Sequence, residues 1–319
     1  MIADNKDNNS SFKITPSPHL RKDTSVKKIM LLVILALMPT TIAGIYFFGY
    51  HALLVIILSI VTAEITEFLA LKIQKKDFVL DGSAIITGLL LALILPPNVP
   101  LWIPVVGSFF AIAIAKHAFG GLGQNIFNPA LVGRAFLMLS WPILLTTWVS
   151  PFDAVTTATP LAALKMQNTF IASNLDLLLG SVGGCIGETS ALAILIGGIA
   201  LIALKVIDWR TPLSIIGTVF IFMLLLGQDP VFHILAGGLM LGAFFMATDY
   251  VTTPITGWGK VAFGIGAGIL IVVFRLWSGM PEGVCYSILI MNGFTPLIDR
   301  YIKPHPLGAK KTKIKVSKE

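Results

Sequence analysis

The chain has 319 residues, of which 55% are hydrophobic and 12% charged, with a mean hydropathy of +0.87. Soluble domains carry about 25% charged residues, so the composition excludes a water-soluble enzyme. Two cysteines, Cys185 and Cys285, are too few for a disulfide framework or for an iron–sulfur cluster held by this chain alone. The net charge of +7 is gathered at the two ends and in short loops, which excludes the basic groove of a nucleic-acid binder.

Residues 1–28 are polar and precede any apolar run. They read as a flexible arm and not as a signal peptide, whose short charged start passes directly into an apolar segment. Apolar runs follow at about 29–49, 51–71, 81–95, 101–118, 129–147, 187–205, 212–227, 232–247, 260–276 and 283–300, each near the length that crosses a bilayer. The expected fold is an all-α polytopic membrane protein of ten transmembrane helices. With the N-terminus cytoplasmic, 21 of the 23 Lys and Arg residues fall on that side, and only Lys165 and Arg275 fall elsewhere. That asymmetry orients membrane proteins, so both ends are expected in the cytoplasm, with a basic tail at 301–319.

The longest connection, 148–186, separates one five-helix unit at 29–147 from another at 187–300. An odd number of spans per unit makes the second an inverted copy of the first. The third and eighth runs support this: each is short, contains glycine, begins near an aspartate (Asp81, Asp229) and precedes a proline-containing loop.

Few charged groups fall inside the runs. Glu64 and Glu67 are spaced i, i+3 on the second and share a helical face. Carboxylates within a span are candidates for an ion or proton path, whereas Lys72, Lys75 and Lys76 nearby offer an interfacial salt-bridge network instead. Lys116 and His117 are expected as an anchor at the cytoplasmic face. Asp229, Asp249 and Glu282 fall at helix ends, and the histidines lack metal-ligand spacing. In the long connection, Asp153-Ala154-Val155-Thr156-Thr157-Ala158-Thr159-Pro160 sets three threonine hydroxyls near an aspartate, ahead of a proline that can open a helix. Spacing alone leaves open a turn with an N-cap and a covalent anchor through a phosphate ester.

This run resembles the flavinylation motif, Asp-x-x-Ser/Thr-x-Ala-Thr, of the RnfD/NqrB family of membrane redox subunits. Asp153, Thr156, Ala158 and Thr159 occupy the motif positions, and Thr157 stands where glycine is frequent. Further stretches resemble the family in the same order: Asp81-Gly82-Ser83, then Phe127-Asn128-Pro129-Ala130-Leu131-Val132-Gly133-Arg134-Ala135-Phe136, then Gly187-Glu188-Thr189-Ser190. Pro281-Glu282-Gly283-Val284 with Met291-Asn292 completes the set.

The resemblance implies a five-plus-five inverted repeat similar to that of urea transporters. It implies FMN joined to Thr159 by a phosphoester that a dedicated flavin transferase installs, and allows a second, non-covalent flavin as in the NqrB branch. Implied partners are other subunits, including a second covalent flavoprotein and iron–sulfur subunits, in a prokaryotic inner (plasma) membrane with the Thr159 loop outside. Gly187, Glu188 and Thr189 fall at a helix start, where free N–H groups can hold a phosphate or flavin edge. Arg134 is expected to meet a flavin or a carboxylate, or to lie at headgroup level. The short N-terminal arm is more similar to the RnfD branch, which implies electron transfer within an ion-translocating ferredoxin:NAD oxidoreductase. The alternatives are an NqrB-type subunit of a Na⁺-pumping NADH:quinone oxidoreductase and a flavin-free small-solute channel or transporter.

Overall fold

The computed structural model describes residues 25–77, 80–152, 155–166, 172–279 and 283–303. Helix α1 (Val26–Ile73) opens at Ser25, whose side chain accepts the Lys28 N–H, and runs for 48 residues. As one rod it would extend roughly 70 Å, more than twice the ~30 Å apolar thickness of a bilayer. Gly49, at φ 70° and ψ −153°, breaks the helical path in a left-handed conformation that a side chain would oppose. The two arms, 26–48 and 50–73, flank α2 (Ser83–Leu93). A Cβ at Gly82 would meet Met30 and Ile34 of the first arm, and one at Gly88 would lie 2.8 Å from Ser59 O of the second. Ser59 fastens this close approach by donating to Gly88 O at 2.7 Å.

Helix α3 (Trp102–Phe110) continues into a π-helical turn at Ala111–His117. Asn128 caps α4 (Pro129–Ser140), its side chain accepting the N–H groups of Ala130 and Leu131. The fifth expected run is not one helix: α4 ends at Trp141 and α5 (Pro142–Thr146) follows, because proline disfavours helical backbone in the residue before it. The connection beyond carries a two-stranded antiparallel ribbon, a small departure from an all-helical chain. In it β1 (Trp148–Val149) pairs with β2 (Thr156–Thr157), Val149 opposite Thr156. Helices α6 (Pro160–Lys165) and α7 (Asn174–Leu179) complete the connection. Leu161 and Leu177 pack with Phe232 and Ala236 in a satellite core.

The second unit comprises α8 (Ala191–Ala203), α9 (Arg210–Leu225), α10 (Pro230–Leu235), α11 (Leu239–Leu241, prolonged by a π-helical turn at Gly242–Met246), α12 (Gly257–Trp277) and α13 (Val284–Tyr301). The eighth expected run is broken between α10 and α11, where Gly237 and Gly238 take φ of 67° and 66°. Helix α8 lies so close to the first arm of α1 that a Cβ at Gly197 would come within 2.0 Å of Ala36 O; small residues let membrane helices approach this way. Gly197→Val is expected to destabilise the chain by about 1–3 kcal/mol through overpacking. An unchanged melting temperature in detergent would contradict this.

Helix occupies part of each of the ten apolar runs, and α1 and α12 are long and apolar enough to cross a membrane. Large apolar side chains such as Leu35, Ile57, Ile199 and Leu224 are exposed around the bundle. Apolar surface of this extent belongs against lipid.

Between α8 and α9, Asp208 accepts from Arg210 N–H (3.1 Å) and from Lys260 Nζ (3.2 Å). Burial pushes its carboxyl up, but these two donors outweigh it and hold the group below the ordinary aspartate value. A depressed folded-state value means the stabilisation is present above the unfolded pKa and is lost as pH falls through the folded one. Asp208→Asn should therefore cost up to about 1 kcal/mol at neutral pH, and the difference should vanish in acid titrations of unfolding below the usual carboxylate range.

Candidate functional site

Two helices end inside the protein, and an arginine closes each. At the end of α2, Arg134 Nη1 donates to Ile94 O (2.5 Å), reaches Cys185 Sγ (3.4 Å) and pairs with Glu188 Oε1 (3.4 Å). At the end of α10, Arg275 of α12 donates to His233 O, to Ala236 O (2.8 Å) and to Gly237 O (3.3 Å). The last carbonyls of a helix lack intrahelical partners and carry partial negative charge, so each guanidinium answers both needs. The two ends adjoin. A Cβ at Gly238 would lie 2.2 Å from Glu188 Oε1, and Arg134, Glu188, Gly237 and Gly238 line one cavity of about 20 Å³.

Among the partners open to Arg134 in the sequence, a carboxylate is present beside a carbonyl, and the side chain is 6% exposed. The stretch at 187–190 also differs from an open phosphate cradle. Ile186 N–H donates to Leu95 O (3.1 Å), Gly187 N–H to Leu93 O (2.7 Å) and Glu188 N–H to Cys185 O (3.1 Å). Thr189 is buried, and Ser190 caps α8.

A second polar group is built around the π-helical turn that ends α3. Lys116 Nζ donates to Glu67 Oε1 (2.7 Å) and to Ser83 Oγ (2.7 Å), and Ser83 Oγ donates to Asp81 Oδ1 (2.6 Å). His117 Nε2 lies 3.7 Å from Glu67 Oε1. Lys116 is 2% exposed and Glu67 6%, so neither the expected surface anchor nor a Glu67 pairing with Lys72, Lys75 and Lys76 is what forms. Glu64 remains half-buried on the same arm. Lys116 and Ser83 line a cavity of about 100 Å³ together with Asn125, Asn128, Thr248 and Asp249.

In the motif loop, Asp153 and Ala154 lie outside the described residues. Thr156 and Ala158 are exposed, whereas Thr159 is 3% exposed and caps α6, its Oγ1 accepting the Ala162 N–H at 3.2 Å. Two residues on, Leu161 reaches the α10–α11 break: a Cβ at Gly237 would lie 2.2 Å from Leu161 Cδ1 and 3.3 Å from Arg275 Nη2. The loop is thus packed onto the helix end that Arg275 closes.

Sequence reasoning did not find two features. Asn128, besides capping α4, donates from Nδ2 to Met246 O (3.2 Å). Asn292, with its amide turned to satisfy both ends, accepts from Asn128 N–H (3.1 Å) and donates to Ile288 O (3.2 Å). An asparagine ahead of a proline signals a cap, but nothing local signals a tie to the other unit. His233 is buried with neither ring nitrogen hydrogen-bonded; only its neighbour Asp229, the α10 cap, was visible as an end-group.

Residues 13–308 match the model of the NQR2, RnfD, RnfE family. The chain belongs to this family. A member from Clostridium ljungdahlii, named as a subunit of a proton-translocating ferredoxin:NAD(+) oxidoreductase complex, is 50% identical, covering 94% of this chain and 97% of that relative. A member from Acetobacterium woodii, named as a subunit of a Na(+)-translocating ferredoxin:NAD(+) oxidoreductase complex, is 49% identical, covering 96% and 98%. A member from Methanosarcina acetivorans, named as a subunit of an ion-translocating oxidoreductase complex, is 38% identical over 94% of this chain and 98% of its own. Two NQR2, RnfD, RnfE family members at nearly equal identity are named for different ions, so overall similarity does not select between H⁺ and Na⁺ here.

Proposed function

We propose that the chain is the RnfD-type electron-transfer subunit of a membrane-bound, ion-translocating ferredoxin:NAD oxidoreductase complex, carrying FMN as a phosphoester on Thr159. The observation that carries this reading is near-full-length similarity to proteins named as that subunit, together with the motif threonine at the start of α6. The hydroxyl chemistry at Thr159 fits the bond that would be formed. Thr159 Oγ1 accepts a backbone N–H from Ala162, a bond that does not use its hydroxyl hydrogen, so the oxygen can carry an ester and keep its place at the helix start. Flavin exchanges electrons singly or in pairs and so connects one-electron with two-electron carriers.

The chain's own part is to hold and surround that group. Thr156 and Ala158 complete the motif with Asp153, which a flavin transferase would read. Leu161 and Leu177 fix the loop on Phe232 and Ala236. Glu188 and Arg134 lie beneath the α10–α11 break on which the loop rests, where they set the local field. Gly187 and Thr189 are part of the backbone that places Glu188. In the proposed topology both ends are cytoplasmic, the Thr159 loop faces outward, and the units 29–147 and 187–300 form a ten-helix inverted repeat. The short α2, which ends inside the protein, and the α10–α11 break, at matching places in the two units, support that repeat. Glu67, whose Oε2 is buried without a hydrogen bond, and Glu64 belong to a proposed ion path on the inner side. Iron–sulfur subunits and a second flavoprotein are the proposed electron partners, and a second, non-covalent flavin completes the reading.

The test is in-gel flavin fluorescence of the denatured chain, co-expressed with a flavin transferase, beside Thr159→Ala. Fluorescence in the wild type that the substitution abolishes is the expected result. A dark wild-type band, with a known acceptor labelled in the same cells, would overturn the assignment and favour the solute-channel alternative.

A further inference from the structure

A cavity of about 510 Å³ lies beside the motif loop, between the Gly49 turn of α1, the α2–α3 connection and the β1–β2 ribbon. Its lining includes Tyr46, Phe47, His51, Asn98, Phe152 and Thr156. The three aromatic rings meet edge to face, with centroids 5.5 Å apart for Tyr46–Phe47 and 5.6 Å for both Tyr46–Phe152 and Phe47–Phe152. Yet Tyr46 is 71% and Phe152 65% exposed, so the cluster presents aromatic surface that the chain does not cover. Phe152 also takes φ 68°, a left-handed conformation costly for a bulky side chain, of the kind that persists where the surroundings impose it and collects at functional sites. Its N–H donates to Phe47 O at 3.1 Å, which holds the ring in this group.

One edge of the cavity is polar. His51 Nδ1 lies 2.6 Å from Pro97 O; a carbonyl only accepts, so Nδ1 carries the hydrogen. Asn98 adds an amide. The cavity therefore suits a flat aromatic ligand with apolar faces and one edge bearing an N–H donor and carbonyl acceptors, which describes an isoalloxazine ring. The lining residue Thr156 is three positions before Thr159, and three residues span at most roughly 10 Å, a reach comparable to that of a ribityl phosphate. The cavity of about 20 Å³ at Arg134 is too small for such a ring, and the one of about 100 Å³ opens at Ser83 and Thr87, at the other end of α2.

We propose that this aromatic cavity seats the isoalloxazine ring of the flavin esterified at Thr159, with Tyr46 and Phe152 as its shielding rings. The inference rests on the reading that Thr159 carries the flavin. The experiment uses the full chain in membranes, co-expressed with a flavin transferase, and takes two readouts from each sample. Flavin fluorescence on a denaturing gel reports attachment, and iodide quenching of the folded sample reports how exposed the ring is.

Tyr46→Ala and Phe152→Ala are expected to keep the gel signal. In the folded double variant, iodide quenching should rise about five-fold, the change in seated population that loss of aromatic contacts would produce. Tyr46→Phe should restore shielding. Phe152→Gly removes the ring while relaxing the backbone, and keeps the test valid if Phe152→Ala fails to fold. Trp102→Ala, from the separate Trp102–Trp141 pair, should change neither readout. Full labelling with iodide quenching unaltered in the Tyr46 and Phe152 variants would overturn the seat and leave the function standing. A wild type without gel fluorescence would overturn both.

Discussion

Lys116→Met is expected to destabilise the chain by about 3–5 kcal/mol, because it leaves the buried Glu67 carboxylate without the ammonium that compensates it. The loss should appear as a drop in melting temperature on the order of 10 °C. Both cysteines are free and buried, so a thiol-reactive dye that fluoresces on coupling follows unfolding directly. Glu67→Gln alone should also cost stability, since it leaves the Lys116 ammonium without its directly bonded carboxylate. The double variant, with both charges gone, should recover most of the loss, giving a coupling energy above about 1 kcal/mol in the cycle. If the two single variants each shift stability by less than about 1 kcal/mol and simply add, the pair behaves as a solvated one and its description as a buried ion pair fails.

Arg134→Leu should be comparably damaging, at about 3–5 kcal/mol. It takes the guanidinium from Ile94 O, which keeps only the weak thiol donor of Cys185 (3.0 Å), and abandons the Glu188 carboxylate, 9% exposed at the side chain, beside Gly238. Arg134→Lys should recover only part of this, because a shorter, more strongly hydrated ammonium does not take the place of Nη1 against both Ile94 O and Glu188. Glu188→Gln should be milder, about 1–2 kcal/mol, since the amide still accepts from the guanidinium. The expected order is therefore Leu, then Lys at position 134, then Gln at 188, read by the same thiol assay. Wild-type stability in Arg134→Lys would show that charge alone suffices there.

The apolar runs were legible because a bilayer imposes a length on each, and the segments flanking Gly49 and Pro142 show how far that legibility extends. Length found the helices, but only backbone geometry shows that the first two form one helix broken at Gly49 and that the fifth divides at Trp141. The motif threonines were legible because the resemblance they carry is a short, contiguous pattern. The buried ion pairs were not. Glu67 and Lys116 are 49 positions apart and Arg134 and Glu188 are 54 apart, and charge counting treats every lysine or arginine near a span end as a topological marker. Lys116 and Arg134 both passed that test on the cytoplasmic side while pointing into the protein. The π-helical turns at Ala111–His117 and Gly242–Met246 left no trace in hydropathy, although the first places Lys116 and His117 together beside Glu67.

The two helix ends inside the bundle have an electrical consequence. Bare carbonyls at the end of a broken membrane helix attract mobile cations, which is how many transport proteins make a resting place for an ion partway across. Here those positions are taken by guanidinium groups covalently part of the chain, one on Ile94 O and one on His233, Ala236 and Gly237 O. A cation approaching this seam would find its carbonyl oxygens already engaged by guanidinium groups, one of them paired with Glu188.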